Sequence, residues 1–127
     1  MSEPKPLPPS LRTQKRYLVF EIISENQIEY GNLITSIWDS AINFLGEILS
    51  SRAGIWIIQN LYDEKTQKGI IRCNHEFVEE VRTALSLIHV IGETKAIVKI
   101  LGVTGTIKSA RTKYFQTTNL TAFSEQK

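Results

Sequence analysis

Proline is confined to the first nine residues of this chain, and that distribution limits where a folded domain can begin. The four prolines stand at positions 4, 6, 8 and 9, and none follows Leu11. Proline lacks the backbone N–H that a strand or helix interior needs, and it favours extended polyproline-like backbone. We therefore expect residues 1–10 to be a flexible arm, residues 11–115 a single domain and residues 116–127 a polar tail.

Composition places the chain among ordinary globular domains, with 42% hydrophobic and 22% charged residues. Its single cysteine, Cys73, cannot form an internal disulfide, and its longest runs of aliphatic and aromatic residues have only four members, as in Ile55–Ile58. Neither a secretory leader nor a membrane span fits such a sequence. We expect a cytoplasmic protein.

Hydrophobic periodicity divides the first half of the domain into a strand and a long helix. Arg16–Ile23 is rich in β-branched and aromatic residues and alternates as a strand does. Ser24 and Gln27 have the spacing of a capping box. The apolar spacing of three and four residues from Tyr30 to Leu49 then predicts an amphipathic helix with a break near Gly46.

In the second half of the domain, strand patterns again alternate with helix patterns. Ile55–Tyr62 and Ile70–Cys73 flank a polar segment and predict a β-hairpin. Asn74 is a suitable N-cap for a second helix. Lys95–Val103 predicts a fourth strand, and Thr106–Tyr114 predicts a short basic helix.

This order of elements, β-α-β-β-α-β plus an extra helix, predicts an α+β fold of the ferredoxin-like or RNA-recognition-motif-like (RRM-like) sandwich type. Two helices would cover one face of a four-stranded antiparallel sheet. The strands carry apolar residues on both faces, whereas a sheet with one solvated face alternates cleanly. We expect the second face to be covered by the third helix or by a partner subunit.

Charge is unevenly distributed, although its sum is only +2. The two ends of the chain are basic and the middle is acidic. After Glu93 no acidic residue occurs until Glu125. Such a stretch suits a surface that faces a polyanion, although a solvated basic face on a soluble protein is the plainer interpretation.

Motifs of protein catalysis are missing from the sequence. It has no phosphate-binding Gly-Lys-Ser/Thr loop, no nucleophile elbow and no zinc-protease helix motif. Cys73 and His75 lie two residues apart, but a metal site needs three or four ligands. We interpret Cys73 as structural and expect no catalytic or metal-binding residues.

A strand-to-helix turn is the most distinctive local feature. Gly102 and Gly105 allow close backbone approach, and the helix that follows carries Lys108, Arg111 and Lys113. These groups could contact the phosphates of a polyanion. A turn followed by a soluble basic helix is the alternative.

The chain resembles the Pop-five family of ribonuclease P proteins over most of the stretch from Leu11 to Tyr114. Four blocks carry the resemblance: Leu11–Phe20, Gly54–Ile57, His75–Leu85 with Ile88, and Leu101–Tyr114. The last block is the most specific, because it joins glycines, a hydroxyl residue, basic residues and a terminal tyrosine. The family often has Ser where this chain has Thr104.

The resemblance implies an RNA-binding accessory subunit of the endoribonuclease ribonuclease P, the ribonucleoprotein that removes the 5′ leader from precursor tRNA. Catalysis there belongs to the RNA with bound magnesium, so no cofactor is expected on the protein. The implied partners are the ribonuclease P RNA, precursor tRNA in the complex, the TIM-barrel subunit called protein component 3 and other ribonuclease P proteins. Self-association is a further possibility, since pairing with component 3 is commonly two-plus-two.

The predicted RNA contacts share basic character or membership of the glycine turn: Lys15, Arg16, Gly102, Gly105, Lys108, Arg111, Lys113 and Tyr114. Tyr17, Trp56 and Tyr62 could stack on bases as RRM aromatics do. Their neighbours are apolar, so we favour core or protein-interface positions for them.

Two other functional classes remain open at this point. One is a ferredoxin-like regulatory or small-molecule-binding domain that self-associates through its sheet face. The other, a metal-dependent nuclease in its own right, lacks a recognisable set of carboxylates.

Overall fold

The computed structural model describes residues 14–116. The predicted arm at residues 1–10 and residues 117–127 of the predicted tail lie outside this range. The elements, in chain order, are β1 (Lys15–Ser24), α1 (Tyr30–Ala53), β2 (Trp56–Ile57), β3 (Lys68–Asn74), α2 (Val78–Ser86), β4 (Val90–Ile91), β5 (Thr94–Thr104) and α3 (Ile107–Ala110). Short 3-10 turns occupy Gln59–Leu61 and His75–Phe77, and α3 continues into a π-helical turn at Arg111–Gln116.

The strands form one antiparallel sheet in the order β2-β3-β1-β5-β4. The first strand is central, because Leu18 pairs with Ile71 on one side and with Val103 on the other. The mixed α and β composition and the antiparallel sheet agree with the sequence. The predicted number of four strands is wrong, because β4 adds a fifth that turns into β5 at Gly92, where φ is +63°.

The main core lies between one face of the sheet and helices α1 and α2. Leu18, Phe20 and Ile22 alternate along β1 and are buried. Facing them are the buried helix residues Leu33, Ile37 and Ala41 of α1 and Val81, Ala84 and Leu85 of α2. Each large aliphatic or aromatic side chain buried here contributes about 1.5–3 kcal/mol to folding. These parts of the predicted helical stripes thus form the core, whereas Ile42, Ile48 and Leu49 of the α1 stripe are exposed.

Neither predicted N-cap is formed. Ser24 Oγ donates to the carbonyl of Asn26 at 2.5 Å, and Gln27 donates to the carbonyl of Glu64 at 3.0 Å, so α1 begins only at Tyr30. Asn74 Oδ1 accepts from Lys15 Nζ at 2.5 Å, and its Nδ2 donates to the carbonyl of Arg52 at 2.7 Å. The predictions of a capping box before α1 and of an Asn74 cap for α2 are wrong, because these side chains donate to or accept from groups other than the first N–H groups of those helices.

The predicted break in α1 is confirmed at Gly46. Its φ of 82° and ψ of 167° are not helical, and glycine alone adopts this combination readily. Ser50 Oγ donates to the carbonyl of Ala41 at 3.0 Å and so links the two parts of the helix across the break.

The predicted hairpin has a shorter first strand than expected. Only Trp56–Ile57 pairs with β3, and the chain then enters the turn at Gln59–Leu61. Tyr62, predicted as a strand residue, packs against the main core, and its hydroxyl donates to the carbonyl of Ile28 at 2.9 Å. This side-chain bond ties the hairpin to the segment that precedes α1.

The opposite face of the sheet, called the outer face below, is covered in part by α3. Val19, Ile70 and Ala110 are fully buried there. Val19 alternates with Leu18 and Phe20, so α3 and the helices α1 and α2 lie on opposite sides of the sheet. The expectation that the third helix covers the second face is confirmed for this part of it.

Candidate nucleic-acid interface

Helix α3 presents its basic side chains outward because its small apolar residue faces the sheet. The side chain of Thr106 caps the helix by accepting from the backbone N–H of Ser109 at 3.0 Å. Ala110 is fully buried against β1 and β3. Lys108, Arg111 and Lys113 are exposed. The three basic residues therefore lie on α3 and the π-helical turn that continues it, and the buried Ala110 holds this segment against the sheet.

The sheet register brings the other two predicted basic residues to the same end of the molecule. Tyr17 pairs with Thr104, so the start of β1 lies beside the end of β5, where α3 begins. Lys15 and Arg16 are half-buried there. Arg16 Nη1 donates to the carbonyl of Lys15 at 2.9 Å, which holds this guanidinium beside the strand.

The electrostatics of this end are one-sided. No acidic residue occurs in β2, in β3 or between Thr94 and Gln116. The one acidic residue of β1, Glu21, lies toward the other end and pairs in register with Lys68 and Lys99. On the α2 side of the sheet Glu80 lies near enough to act on the Cys73 thiol, as Lys15 does. The basic side chains on the α3 side attract polyanions, and this attraction weakens with salt.

The two glycines of the turn differ in their surroundings. A Cβ at Gly102 would overlap the hydroxyl of Tyr114, so this glycine allows the tyrosine to pack against β5. Gly105 is exposed, and a Cβ there would meet nothing within 4 Å. The structure therefore gives Gly102 a packing role that the sequence did not reveal, and it leaves Gly105 open. Phosphate contact by either glycine stays a prediction.

The three aromatic residues considered for base stacking lie in three different environments. Tyr17 packs in the cluster beneath α3, and Tyr62 packs against the main core. Trp56 is 60% exposed on the outer face, between the buried residues Ile55 and Ile57. Of the two positions expected for Trp56, the core is therefore wrong, and a protein interface stays a prediction. The alternation Ile55-Trp56-Ile57 was the signal for this exposure.

The remaining reactive groups form no catalytic constellation within residues 14–116. The Cys73 thiol is buried, and burial raises its pKa to about 11. His75 Nε2 lies 3.8 Å from Glu76 Oε1 on the surface. No group of three or more His, Cys, Asp or Glu side chains in this range could hold a metal ion. No helix in the range has the length and apolar character to cross a membrane.

Comparison with known proteins extends over nearly all of the described residues. The profile of the Rpp14/Pop5 family matches residues 16–115. Ribonuclease P protein component 2 of Pyrococcus furiosus is 46% identical over 115 residues, which cover 90% of this chain and 94% of that protein. The protein of the same name from Methanosarcina acetivorans is 38% identical over 112 residues, or 88% of this chain and 82% of that protein.

A solved structure shares the fold at low sequence identity. A chain in the cryo-EM structure of yeast ribonuclease MRP superposes with a TM-score of 0.60 at 14% identity. The match covers 91% of this chain and 94% of the yeast chain. At this identity the comparison supports the fold alone.

Proposed function

The chain belongs to the Rpp14/Pop5 family and is a protein subunit of ribonuclease P, and we propose that it assists the catalytic RNA by binding it through α3 and the adjoining strand ends. One observation carries the binding surface. Five basic residues, Lys15, Arg16, Lys108, Arg111 and Lys113, lie at one end of the sheet, where no acidic residue of β2, β3 or β5 accompanies them.

The proposed role is electrostatic and positional. Lysine and arginine side chains that contact phosphates hold an RNA in register without reading its sequence. An RNA domain held in this way keeps its magnesium ions and the scissile phosphate of precursor tRNA in productive geometry. In this proposal the chemistry and the magnesium belong to the RNA, and the protein supplies no catalytic residue and holds no cofactor.

The finer form of the fold and the location are also proposals. Strands β2, β3, β1 and β5 follow the order of a ferredoxin-like or RRM-like sheet, and β4 extends it at one edge. A cytoplasmic site of action accords with a lone cysteine that is a buried free thiol.

Exposed apolar side chains support the proposal of a protein partner. Ile23, Val90 and Ile97 are exposed apolar side chains near the β4 edge, away from the basic end. Such a patch suits a protein interface. We assign it to the TIM-barrel subunit, component 3, and place other ribonuclease P proteins in the same ribonucleoprotein particle.

Reconstitution tests the function directly. Ribonuclease P RNA and component 3 are assembled with and without this chain, and 5′-leader removal from a precursor tRNA is measured over a magnesium titration. We expect the chain to raise the rate at moderate magnesium and to lower the magnesium requirement. No gain from a correctly folded chain would contradict the proposal and favour the self-associating regulatory domain.

Charge-matched variants test whether the gain in the rate of 5′-leader removal depends on the proposed surface. We expect most of this gain to be lost in a triple variant that combines Lys108→Ala, Arg111→Ala and Lys113→Ala. The control combines Lys65→Ala, Arg82→Ala and Lys95→Ala, which removes the same charge from exposed positions elsewhere. Equal loss in both variants would show that net charge, and not this surface, supports activity.

A further inference from the structure

Trp56 lies in an unusual place for so large an apolar side chain. It belongs to β2, a two-residue strand at the edge of the sheet, and it is 60% exposed on the outer face. Its neighbours Ile55 and Ile57 point inward and are buried. Strand alternation therefore holds the indole outward, and the backbone pairing with Arg72 of β3 fixes its position.

Arg72 supports this indole with a cation. Its guanidinium carbon lies 5.9 Å from the centre of the Trp56 ring. Within residues 14–116, the Nε atom of Arg72 is buried and has no hydrogen-bond partner. A buried N–H donor without an acceptor costs free energy.

Register places these two residues in a row that crosses four strands. Trp56 pairs with Arg72, Arg72 with Tyr17, and Tyr17 with Thr104. Neighbouring strands are about 4.8 Å apart, so the row spans roughly 14 Å from Trp56 to the start of the turn into α3. The exposed indole and the basic helix thus occupy opposite ends of one row on the same face.

We propose that Trp56, backed by Arg72, is a stacking platform for an unpaired base of a bound RNA whose backbone follows the basic residues of α3. The inference rests on the proposed function and adds a second, non-ionic contact to it. An indole stacks on any base, and a neighbouring arginine adds cation–π attraction and donors.

The surroundings favour RNA over a protein occupant. Protein interfaces place their aromatic anchors in apolar, charge-depleted patches. Among the other exposed apolar residues, Ile23, Val90 and Ile97 lie toward the β4 edge, at the opposite edge of the sheet from β2. Four more belong to α1, which packs on the other face of the sheet: Ile42, Phe44, Ile48 and Leu49. Next to Trp56 the structure places a guanidinium, in strands that contain no acidic residue.

Tryptophan fluorescence of the full chain tests the stack. A single-stranded oligouridylate is titrated into the wild-type protein and into Trp56→Phe, which keeps an aromatic ring and leaves Trp38 as the only tryptophan. We expect quenching in the wild type that disappears in the variant, and weaker quenching by an RNA duplex of the same length. Equal quenching in both proteins, or by both RNAs, would overturn the platform.

Affinity separates the platform from the electrostatic surface. Trp56→Ala should weaken oligouridylate binding about tenfold and leave its salt dependence unchanged, because stacking releases no counterions. Trp56→Phe should retain most of the affinity, and Ile48→Ala, at an exposed apolar site of α1, should bind as the wild type does.

The outcomes distinguish the two proposals. Wild-type affinity in Trp56→Ala, together with a salt slope that falls in the α3 variant, would reject the platform and keep the proposed function. If the wild-type chain shows no salt-dependent RNA binding, both fail. Weakened binding of component 3 by Trp56→Ala, with unchanged RNA affinity, would identify a protein interface and overturn the inference.

Discussion

The hydroxyl of Tyr114 lies against the backbone of Gly102, in the space that a side chain at position 102 would occupy. This contact fixes the π-helical turn after α3 on β5, since Tyr114 also packs with Val19, Ile70 and Ala110. The orientation of Lys108, Arg111 and Lys113 therefore depends on Gly102, because this glycine leaves the space in which Tyr114 packs.

Gly102→Ala should expel Tyr114 and destabilise the chain by about 1–3 kcal/mol, the cost of overpacking a filled site. Gly105→Ala is the matched control, because a Cβ there meets nothing within 4 Å. Chemical denaturation measures both. Tyr114→Ala should remove much of the penalty of Gly102→Ala in the double variant, and additive losses would show that the two residues are not coupled.

Salt dependence of RNA binding should report on α3. Replacing Lys108, Arg111 and Lys113 with Ala should flatten the plot of log K against log salt by roughly one unit for each lost phosphate contact. The measurement is a set of binding isotherms over a range of salt concentrations. The Lys65, Arg82 and Lys95 triple variant should keep the wild-type slope, and a slope unchanged in the α3 variant would refute these contacts.

Gly46→Ala should destabilise the protein by about 1–3 kcal/mol through backbone strain alone, because its φ of +82° is unfavourable for other residues and no atom obstructs a Cβ. Gly31→Ala, in the first turn of α1 with equally open space, should stabilise by up to about 1 kcal/mol. Thermal or denaturant unfolding of both variants checks the contrast. A loss of equal size at Gly31 would contradict the explanation by strain.

Stability should fall at high pH because of Cys73. Burial raises the pKa of its thiol from 9.0 to about 11, so the folded chain disfavours the thiolate. A raised folded-state pKa gives stability that is fully present below pH 9 and is lost as pH rises toward 11. The loss amounts to about 2–3 kcal/mol.

The measurement compares the free energy of unfolding of wild type and Cys73→Ala across that window. Other groups titrate in both proteins and cancel in the difference. The advantage of the wild type should shrink between pH 9 and 11, and a constant difference would show that the thiol does not contribute.

Hydrophobic periodicity predicted the helices that bury one apolar side and the strands that bury one face. The strand around Leu18 and the helices around Ile37 and Val81 were predictable because their apolar spacing reflects burial in the observed core. The break at Gly46 was also predictable, since glycine in a long helical pattern often marks a change of direction.

Features set by partners distant in sequence could not be predicted. Asn74 has the local pattern of a cap, but its side chain bonds to Lys15 and Arg52, which only the folded sheet brings close. Strand β4 has two residues, too few for any periodicity. The packing of Tyr114 on Gly102 requires the chain to reverse between β5 and α3.

The candidate site was predicted by composition more than by geometry. The basic residues of α3 could be identified because no acid interrupts them, and β1 could be added only after its register with β5 was known. Trp56 was assigned to the core or to a protein interface because its neighbours are apolar. Strand alternation instead turns its side chain to the outer face, opposite the buried side chains of Ile55 and Ile57.

The central position of β1 has a consequence for synthesis. This strand emerges first from the ribosome, yet its partners lie in β3 and β5, and the last of its ladder bonds needs Thr104. Leu18, Val19 and Phe20 therefore stay without their native covering until nearly the whole domain has been translated. The sheet can therefore close only after β5 has left the ribosome, and until then these uncovered apolar side chains favour aggregation.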